Sequence, residues 1–305
     1  MIYCFYHVID LDGHCSGAIV KYFYKLQNID IELIPFNYGY KLPLDKLKKE
    51  DIVYFVDVVP QPFDDIFKVE ELVDKVIVFD HHKSFIESTA GKHFATKEES
   101  CLQIGIAGCE ITWNKLFVER AMPVNVLLLG KYDSWRDQDK KHWDTKILPF
   151  QYGMRLEKTD PIDNYELWEL WFNTNLQQVC IENVVDKGNV VLTYENVQNE
   201  ITMKNSFEHT FYDAGVPQKC ICVNSPTRNS NLFKSVWDAE IYDYMIVYSE
   251  TKKREWGFSA YTTKKGKDAS RIAKIFGGGG HVGAAGWISP TLDVFFGGGL
   301  LNCSF

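Results

Sequence analysis

The residues able to do chemistry fall into four short clusters. His7, Asp10 and Asp12 open the chain, Asp57 stands apart, Asp80-His81-His82 form a triplet, and Asp133 follows an aliphatic run. Each has an ordinary reading. An aspartate just past a strand is commonly a turn residue or a helix cap. Asp10-Leu11-Asp12-Gly13 reads equally as an acidic turn, and His7 as a satisfied core histidine. The triplet is harder to dismiss, because two adjacent imidazoles after an apolar run serve no packing purpose. Carboxylates gathered away from water cannot all stay ionised without a counter-charge. Divalent cations supply one. Oxygen ligands mixed with imidazole suit Mn²⁺, with Mg²⁺, Fe²⁺ or Co²⁺ compatible. Zinc held by thiolates is disfavoured, since Cys15 alone among the cysteines lies near these residues. Two ions roughly 3.5–4 Å apart could share one carboxylate and activate a bridging water for attack on phosphorus.

Such a grouping needs elements that deliver distant residues to one place. Short apolar runs at Ile2–Tyr6, Ile31–Pro35, Ile52–Val58, Val76–Phe79 and Val124–Leu129 read as strands buried on both faces. Helical patterns at Ser16–Leu26, Phe63–Val73 and Ala107–Val118 lie between them. The alternation predicts an α/β fold with a mainly parallel sheet and helices on both faces. Parallel strands end on one edge, where ligand sites form. His7, Asp10 and Asp12 would follow the first strand, Asp57 the third, Asp80 to His82 the fourth and Asp133 the fifth. An aromatic-rich helix around Tyr165–Trp171 and a longer one from Val185 to Ile201, with Gly188 as a candidate break, read as a helical connector. Strands at His209–Tyr212, Lys219–Val223, Tyr244–Tyr248 and Glu255–Ala260, a helix at Ala269–Ile275 and a strand-like tail make a smaller C-terminal α/β domain. The expected division is 1–155, 156–206 and 207–305.

A chain of 305 residues can hold two modest cores. Its formal net charge of −8 disfavours gripping long duplex nucleic acid through the overall field. The eight cysteines form no CxxC pair and read as free thiols in a reducing compartment. The chain opens on a strand-like run without a basic-plus-apolar leader, and no apolar run is long enough to span a bilayer. A cytoplasmic protein without a membrane partner is expected.

Taken in order, these motifs resemble the DHH phosphoesterase superfamily, in the branch with a C-terminal DHHA1 domain. The matching pieces are His7-Val8-Ile9-Asp10-Leu11-Asp12-Gly13 with Ser16-Gly17-Ala18, then Val56-Asp57, Asp80-His81-His82 and Tyr132-Asp133-Ser134-Trp135. The C-terminal counterpart is Gly277-Gly278-Gly279-Gly280-His281 followed by Ala284-Ala285-Gly286. The resemblance implies that His7, Asp10 and Asp57 hold one metal. Asp12, Asp57, His81 and Asp133 would hold the other, with Asp57 bridging. It implies that His82 faces the scissile phosphate, that Asp80 orients an imidazole, and that His281 with Gly278, Gly279 and Gly280 binds substrate phosphate. The glycine run has its own physical reading, because backbone without Cβ atoms can approach a phosphate closely. The second cluster, Gly297-Gly298-Gly299, reads as a flexible turn.

The sequence departs from the family pattern ahead of the glycine run. Relatives often carry Ser-x-Arg there, and this chain has Ser259-Ala260-Tyr261. Arg271, Arg228 or Lys265 would have to replace the missing arginine, and each reads equally as a surface charge. The resemblance implies hydrolysis of phosphodiester bonds in short oligonucleotides or dinucleotides by a metal-activated water. A homodimer is compatible with it. A 3′,5′-bisphosphonucleotide phosphatase, a cyclic dinucleotide phosphodiesterase and a non-catalytic nucleotide-binding protein stay open as alternatives.

Overall fold

The computed structural model describes residues 1–94, 98–136, 139–173, 177–227 and 229–297. They divide into two compact units, Met1–Leu192 and Thr193–Phe305.

The first unit begins β1 (Ile2–His7), α1 (Leu11–Lys25), β2 (Glu32–Phe36), β3 (Ile52–Val56), α2 (Asp65–Leu72) and β4 (Lys75–Asp80). Two short helices, α3 (Lys83–Ile86) and α4 (Thr89–His93), lead to a two-residue strand, β5 (Cys101–Leu102). The strands form one parallel sheet in the order β2-β1-β3-β4-β5. Its runs are mainly apolar because both faces are covered. Tyr3, Phe5, Val53, Phe55, Val76 and Val78 fill the core on one side. Their alternates Cys4, Tyr6, Tyr54, Val56, Ile77 and Phe79 fill the other. The strand order reverses between β1 and β3, and in open parallel sheets the ligand crevice forms at such a switch, outside the carboxyl ends. Register brings the chemistry there. Tyr6 pairs with Val56 and Val56 with Phe79, so His7, Asp57 and Asp80 stand at one level.

The unit continues with α5 (Gly108–Leu116), α6 (Val124–Asp133), α7 (Lys140–His142), a π turn at Trp143–Ile147 and α8 (Leu148–Met154). Then come α9 (Tyr165–Phe172) and α10 (Gln177–Met203), within which the division between the units falls. The fifth strand expected at Val124–Leu129 is corrected here, because that stretch is the start of α6. A short, uniformly apolar run has no period to distinguish strand from helix. The balance is tipped by Pro123 ahead of the helix and by burial of Val126, Leu128 and Leu129 in a helical core with α1, α5 and α8. Asp133 therefore arrives from the C-terminal end of a helix. Trp168, Trp171 and Phe172 of α9 join the same core.

Gly188 does not break α10, which runs straight through it. A Cβ there would stand 1.7 Å from the carbonyl oxygen of Pro149, so glycine is what lets α10 lie against α8.

The second unit carries a mixed six-stranded sheet. Its elements are β6 (Phe207–Asp213), β7 (Val216–Asn224), β8 (Tyr244–Glu250), β9 (Trp256–Tyr261), α11 (Ala269–Ile275), β10 (Gly279–Gly280), β11 (Ala284–Ser289) and α12 (Asp293–Phe296). The order is β10-β11-β9-β8-β7-β6, antiparallel except for the β7–β8 pair. Cys220 and Cys222 share one buried face. All cysteines among the described residues are free thiols, and Cys303 lies outside them. Among the described residues no helix is long and apolar enough to cross a membrane.

Gly188→Ala separates close packing from helix propensity. In an open helix the change would gain about 1 kcal/mol. Here overpacking should instead cost about 1–3 kcal/mol, read as a lower urea midpoint. An unchanged or raised midpoint would contradict the close contact.

Candidate metal centre

The site is built outward from Asp57. This residue follows β3 with φ +58°, a conformation rare for a non-glycine residue, and its amide donates to the Phe79 carbonyl at 2.9 Å. Its side chain is almost wholly buried, and its two oxygens face different partners. Oδ2 lies 3.6 Å from His7 Nδ1, and Oδ1 lies 3.2 Å from His81 Nε2. A Cβ on Gly108 would come within 2.7 Å of the Asp57 Cβ, so glycine at the start of α5 makes room for this carboxylate.

Around the His7 side stand His7, Asp10 and Asp57, whose donor atoms lie within 4.8 Å of one another. Asp10 is the N-cap of α1. One oxygen accepts from the Gly13 amide at 2.9 Å, and the other lies 2.8 Å from His7 Nδ1. Asp10 thus caps the helix with one oxygen and leaves the other facing His7, so the cap does not use up the carboxylate. Gly13 is required because a Cβ there would meet the His7 carbonyl at 2.0 Å. His7 Nε2 lies 3.3 Å from Asn37 Oδ1, which fixes the ring with Nδ1 toward the carboxylates.

Around the His81 side stand Asp12, His81 and Asp133, again within 4.8 Å. His81 Nε2 lies 3.4 Å from Asp133 Oδ2 and 3.8 Å from Asp12 Oδ2. Asp12 is buried and accepts from the amides of Gly108 and Cys109 at 2.8 and 2.7 Å, at the N-terminus of α5. Asp80 is fully buried. Its Oδ1 accepts the His81 and His82 amides and lies 2.7 Å from His82 Nδ1. His82 also approaches Asp57, with Nδ1 4.0 Å from Oδ1, so it forms a third close group with Asp57 and His81.

These groups are unevenly satisfied. His7 Nδ1, Asp57 Oδ1 and Asp133 Oδ2 are enclosed atoms whose close neighbours are other ionisable members of the cage: Asp10 beside His7, and His81 beside Asp57 and Asp133. Asp57 and His81 each belong to two of the three close donor groups, and divalent cations of the Mn²⁺ or Mg²⁺ kind fit this oxygen-and-imidazole donor set.

Protonation follows the crowding. Burial alone would lower His7 and His81, but the adjacent carboxylates outweigh it and push both up to about 11. Burial likewise opposes protonation of His82, and Asp80 with Asp57 raises it to about 9. Burial and the other carboxylates raise Asp12 well above the usual range. Burial lifts Asp133 to about 7, against the pull of His81. Burial would also raise Asp57, but His7 and His81 hold it below the ordinary range. Without a metal, protons neutralise this cage.

Two residues without a sequence signal, Asn37 and Tyr38, also belong to the site. Tyr38 packs its ring 5.6 Å from His7 and 5.9 Å from His82. Burial and the nearby Asp80, Asp57 and Asp10 push its hydroxyl pKa upward. Both residues follow β2, on the same sheet edge as the other clusters, and that placement is the one clue the sequence offers.

In the second unit, Gly279 and Gly280 form β10 beside Gly286 and Ala285, and His281 is exposed. Gly278 packs against the Gly286 carbonyl, whereas Gly279 has open space where a Cβ would stand. Arg271 Nε pairs with Asp213 Oδ2 at 2.7 Å, and Lys265 is exposed. Arg228, Gly298 and Gly299 lie outside the described residues.

No known family profile matches the chain. The uncharacterized protein R106 of Acanthamoeba polyphaga mimivirus is 24% identical over 305 residues, covering 92% of this chain and 66% of the viral protein. The chain thus spans less than two thirds of that relative. RecJ from Thermus thermophilus, solved in complex with Mn²⁺, superposes with a TM-score of 0.54 at 13% identity, over 97% of this chain and 50% of RecJ. An exopolyphosphatase-related protein from Bacteroides fragilis gives 0.52 at 12%, over 93% and 85%. The pGpG-specific phosphodiesterase PggH from Vibrio cholerae gives 0.51 at 14%, over 96% and 95%.

Metal binding here must displace protons, so affinity should rise with pH. Protons on His7 and His81, held up to about 11, and on Asp133, held to about 7, are present at neutrality and lost on binding. Calorimetric titration with Mn²⁺ between about pH 6 and 8, in buffers of different ionisation enthalpy, should show net proton release and tighter binding at the higher pH. Affinity independent of pH would contradict the proton-filled cage.

Proposed function

We propose that this chain, which has the DHH-superfamily phosphoesterase fold, is a divalent-metal-dependent hydrolase of phosphodiester bonds in short oligonucleotides or dinucleotides. The observation that carries the reading is Asp57, a buried carboxylate with one oxygen toward His7 and the other toward His81. His7, Asp10 and Asp57 would hold one ion, and Asp12, Asp57, His81 and Asp133 the other. Bound there, divalent ions supply Lewis acidity and an activated water for attack on phosphorus.

The protein's own residues do the positioning. The Gly108 and Cys109 amides fix Asp12, Asn37 fixes His7, and Asp80 fixes His82. With its Nδ1 proton held by Asp80, His82 is assigned the scissile phosphate, where an imidazolium would stabilise developing charge or give a proton to the leaving oxygen. In the second unit, phosphate contact is assigned to Gly278, Gly279, Gly280 and His281, with Arg271 as an added cation. The open side of Gly279 and the exposure of His281 support this assignment. The acidic net charge supports small substrates over long polymers. A bisphosphonucleotide phosphatase and a cyclic dinucleotide phosphodiesterase use the same kind of centre, and a substrate panel separates them.

With Mn²⁺ and a panel of labelled short oligonucleotides, a linear dinucleotide, a cyclic dinucleotide, a 3′,5′-bisphosphonucleotide and pyrophosphate, the linear nucleotides should be cut fastest. His81→Ala should lower kcat by at least about 100-fold and weaken Mn²⁺ binding. His82→Ala should lower kcat by about 10²–10⁴-fold while Mn²⁺ binding persists. Hydrolysis unchanged in His81→Ala would remove this site from the reaction.

A further inference from the structure

The segment that carries Asp133 also carries an aromatic ladder that the metal chemistry does not use. Trp135 lies two residues beyond Asp133 and is 58% exposed. Its ring stacks on Trp143, with centroids 5.9 Å apart and planes at 28°. Trp143 in turn stacks on Tyr132 at 5.8 Å and 13°. The Arg155 guanidinium, itself exposed, sits over the Tyr132 ring at 5.9 Å. Tyr132 and Trp143 are partly buried and packed against the helical core, so the ladder is anchored inside and ends in solvent at Trp135.

The backbone holds that last ring in an unusual pose. Trp135 has φ +53°, a left-handed conformation that bulky residues rarely adopt. Both neighbours are tied down. Ser134 Oγ donates to the Gly130 carbonyl at 2.6 Å, and Arg136 Nε donates to Ser134 Oγ at 2.8 Å. The Arg136 guanidinium also pairs with buried Glu110, whose carboxylate accepts from the Ala107 amide beside α5. A strained residue held from both sides beside a reactive centre is a recurrent mark of a ligand clamp.

We propose that Trp135 is a stacking platform for a nucleobase of the substrate. The inference rests on the phosphoesterase reading and names the residue that would hold the base of such a substrate. A flat π-face is what continues an aromatic stack, and every base offers one. Asp133, assigned to the metal cluster, stands two residues away in the chain, so one short segment joins the metal centre to the exposed ring. The ladder discriminates by the presence of a base and leaves its identity open, because stacking uses no hydrogen-bond edge.

The test uses the full-length protein and calorimetric titration with Mn²⁺, then with AMP and with inorganic phosphate, in the presence and absence of Mn²⁺. Wild type should bind AMP more tightly than phosphate. Trp135→Ala should weaken AMP by about 5- to 150-fold, the equivalent of ~1–3 kcal/mol. Its phosphate and Mn²⁺ affinities should stay at the wild-type level. Trp135→Phe, which keeps a ring, should recover most of the AMP affinity. Equal AMP affinity in wild type and Trp135→Ala, or equal AMP and phosphate affinities in wild type, would overturn the platform. Failure of the wild type to bind Mn²⁺ would instead overturn the phosphoesterase reading, and the AMP comparison without metal would still decide the platform.

Discussion

The structure depends on one buried carboxylate with two faces. Asp57 lies where the strand order reverses, nearly out of contact with water, and each of its oxygens meets a different imidazole. A carboxylate in that position is costly unless positive charge stands on both sides. Protonated His7 and His81 provide that charge in the metal-free protein, and cations are suited to replace those protons. The left-handed backbone at Asp57 and the glycine at 108 are the local concessions that let one residue serve both sides.

The rest of the first unit works to hold that arrangement still. Two helix starts are used as fixtures. The first turn of α1 is capped by Asp10, and the first amides of α5 grip Asp12. These bonds satisfy backbone donors that every helix leaves open, so positioning the carboxylates and finishing the helices are one and the same set of contacts. Asp80 plays the same part for the loop after β4. It gathers two amides and the His82 ring onto one oxygen.

Much of this is legible in the residues themselves. Runs such as Tyr3 to Tyr6 and Val53 to Val56 are apolar at successive positions, which signals a sheet covered on both faces, and the polar residues just past them mark the edge. Val124–Leu129 reads wrongly as a strand because apolar character without a period does not separate a strand from a buried helix. Asp133 still belongs to the cluster, but it comes from α6. Asn37 and Tyr38 are not legible, because a loop asparagine and tyrosine carry no spacing signal of their own. Trp135 is visible as part of the fourth motif, but its exposure, its stack on Trp143 and its backbone conformation are properties of the fold.

The central claim is that Asp57 is shared between two cation positions. Crystals soaked in Mn²⁺ and measured at the manganese absorption edge test it most directly. The expected result is two anomalous peaks on opposite sides of the Asp57 carboxylate, one among His7 and Asp10, the other among Asp12, His81 and Asp133. A map with no peak at Asp57, or with Mn²⁺ bound only away from these residues, would contradict it.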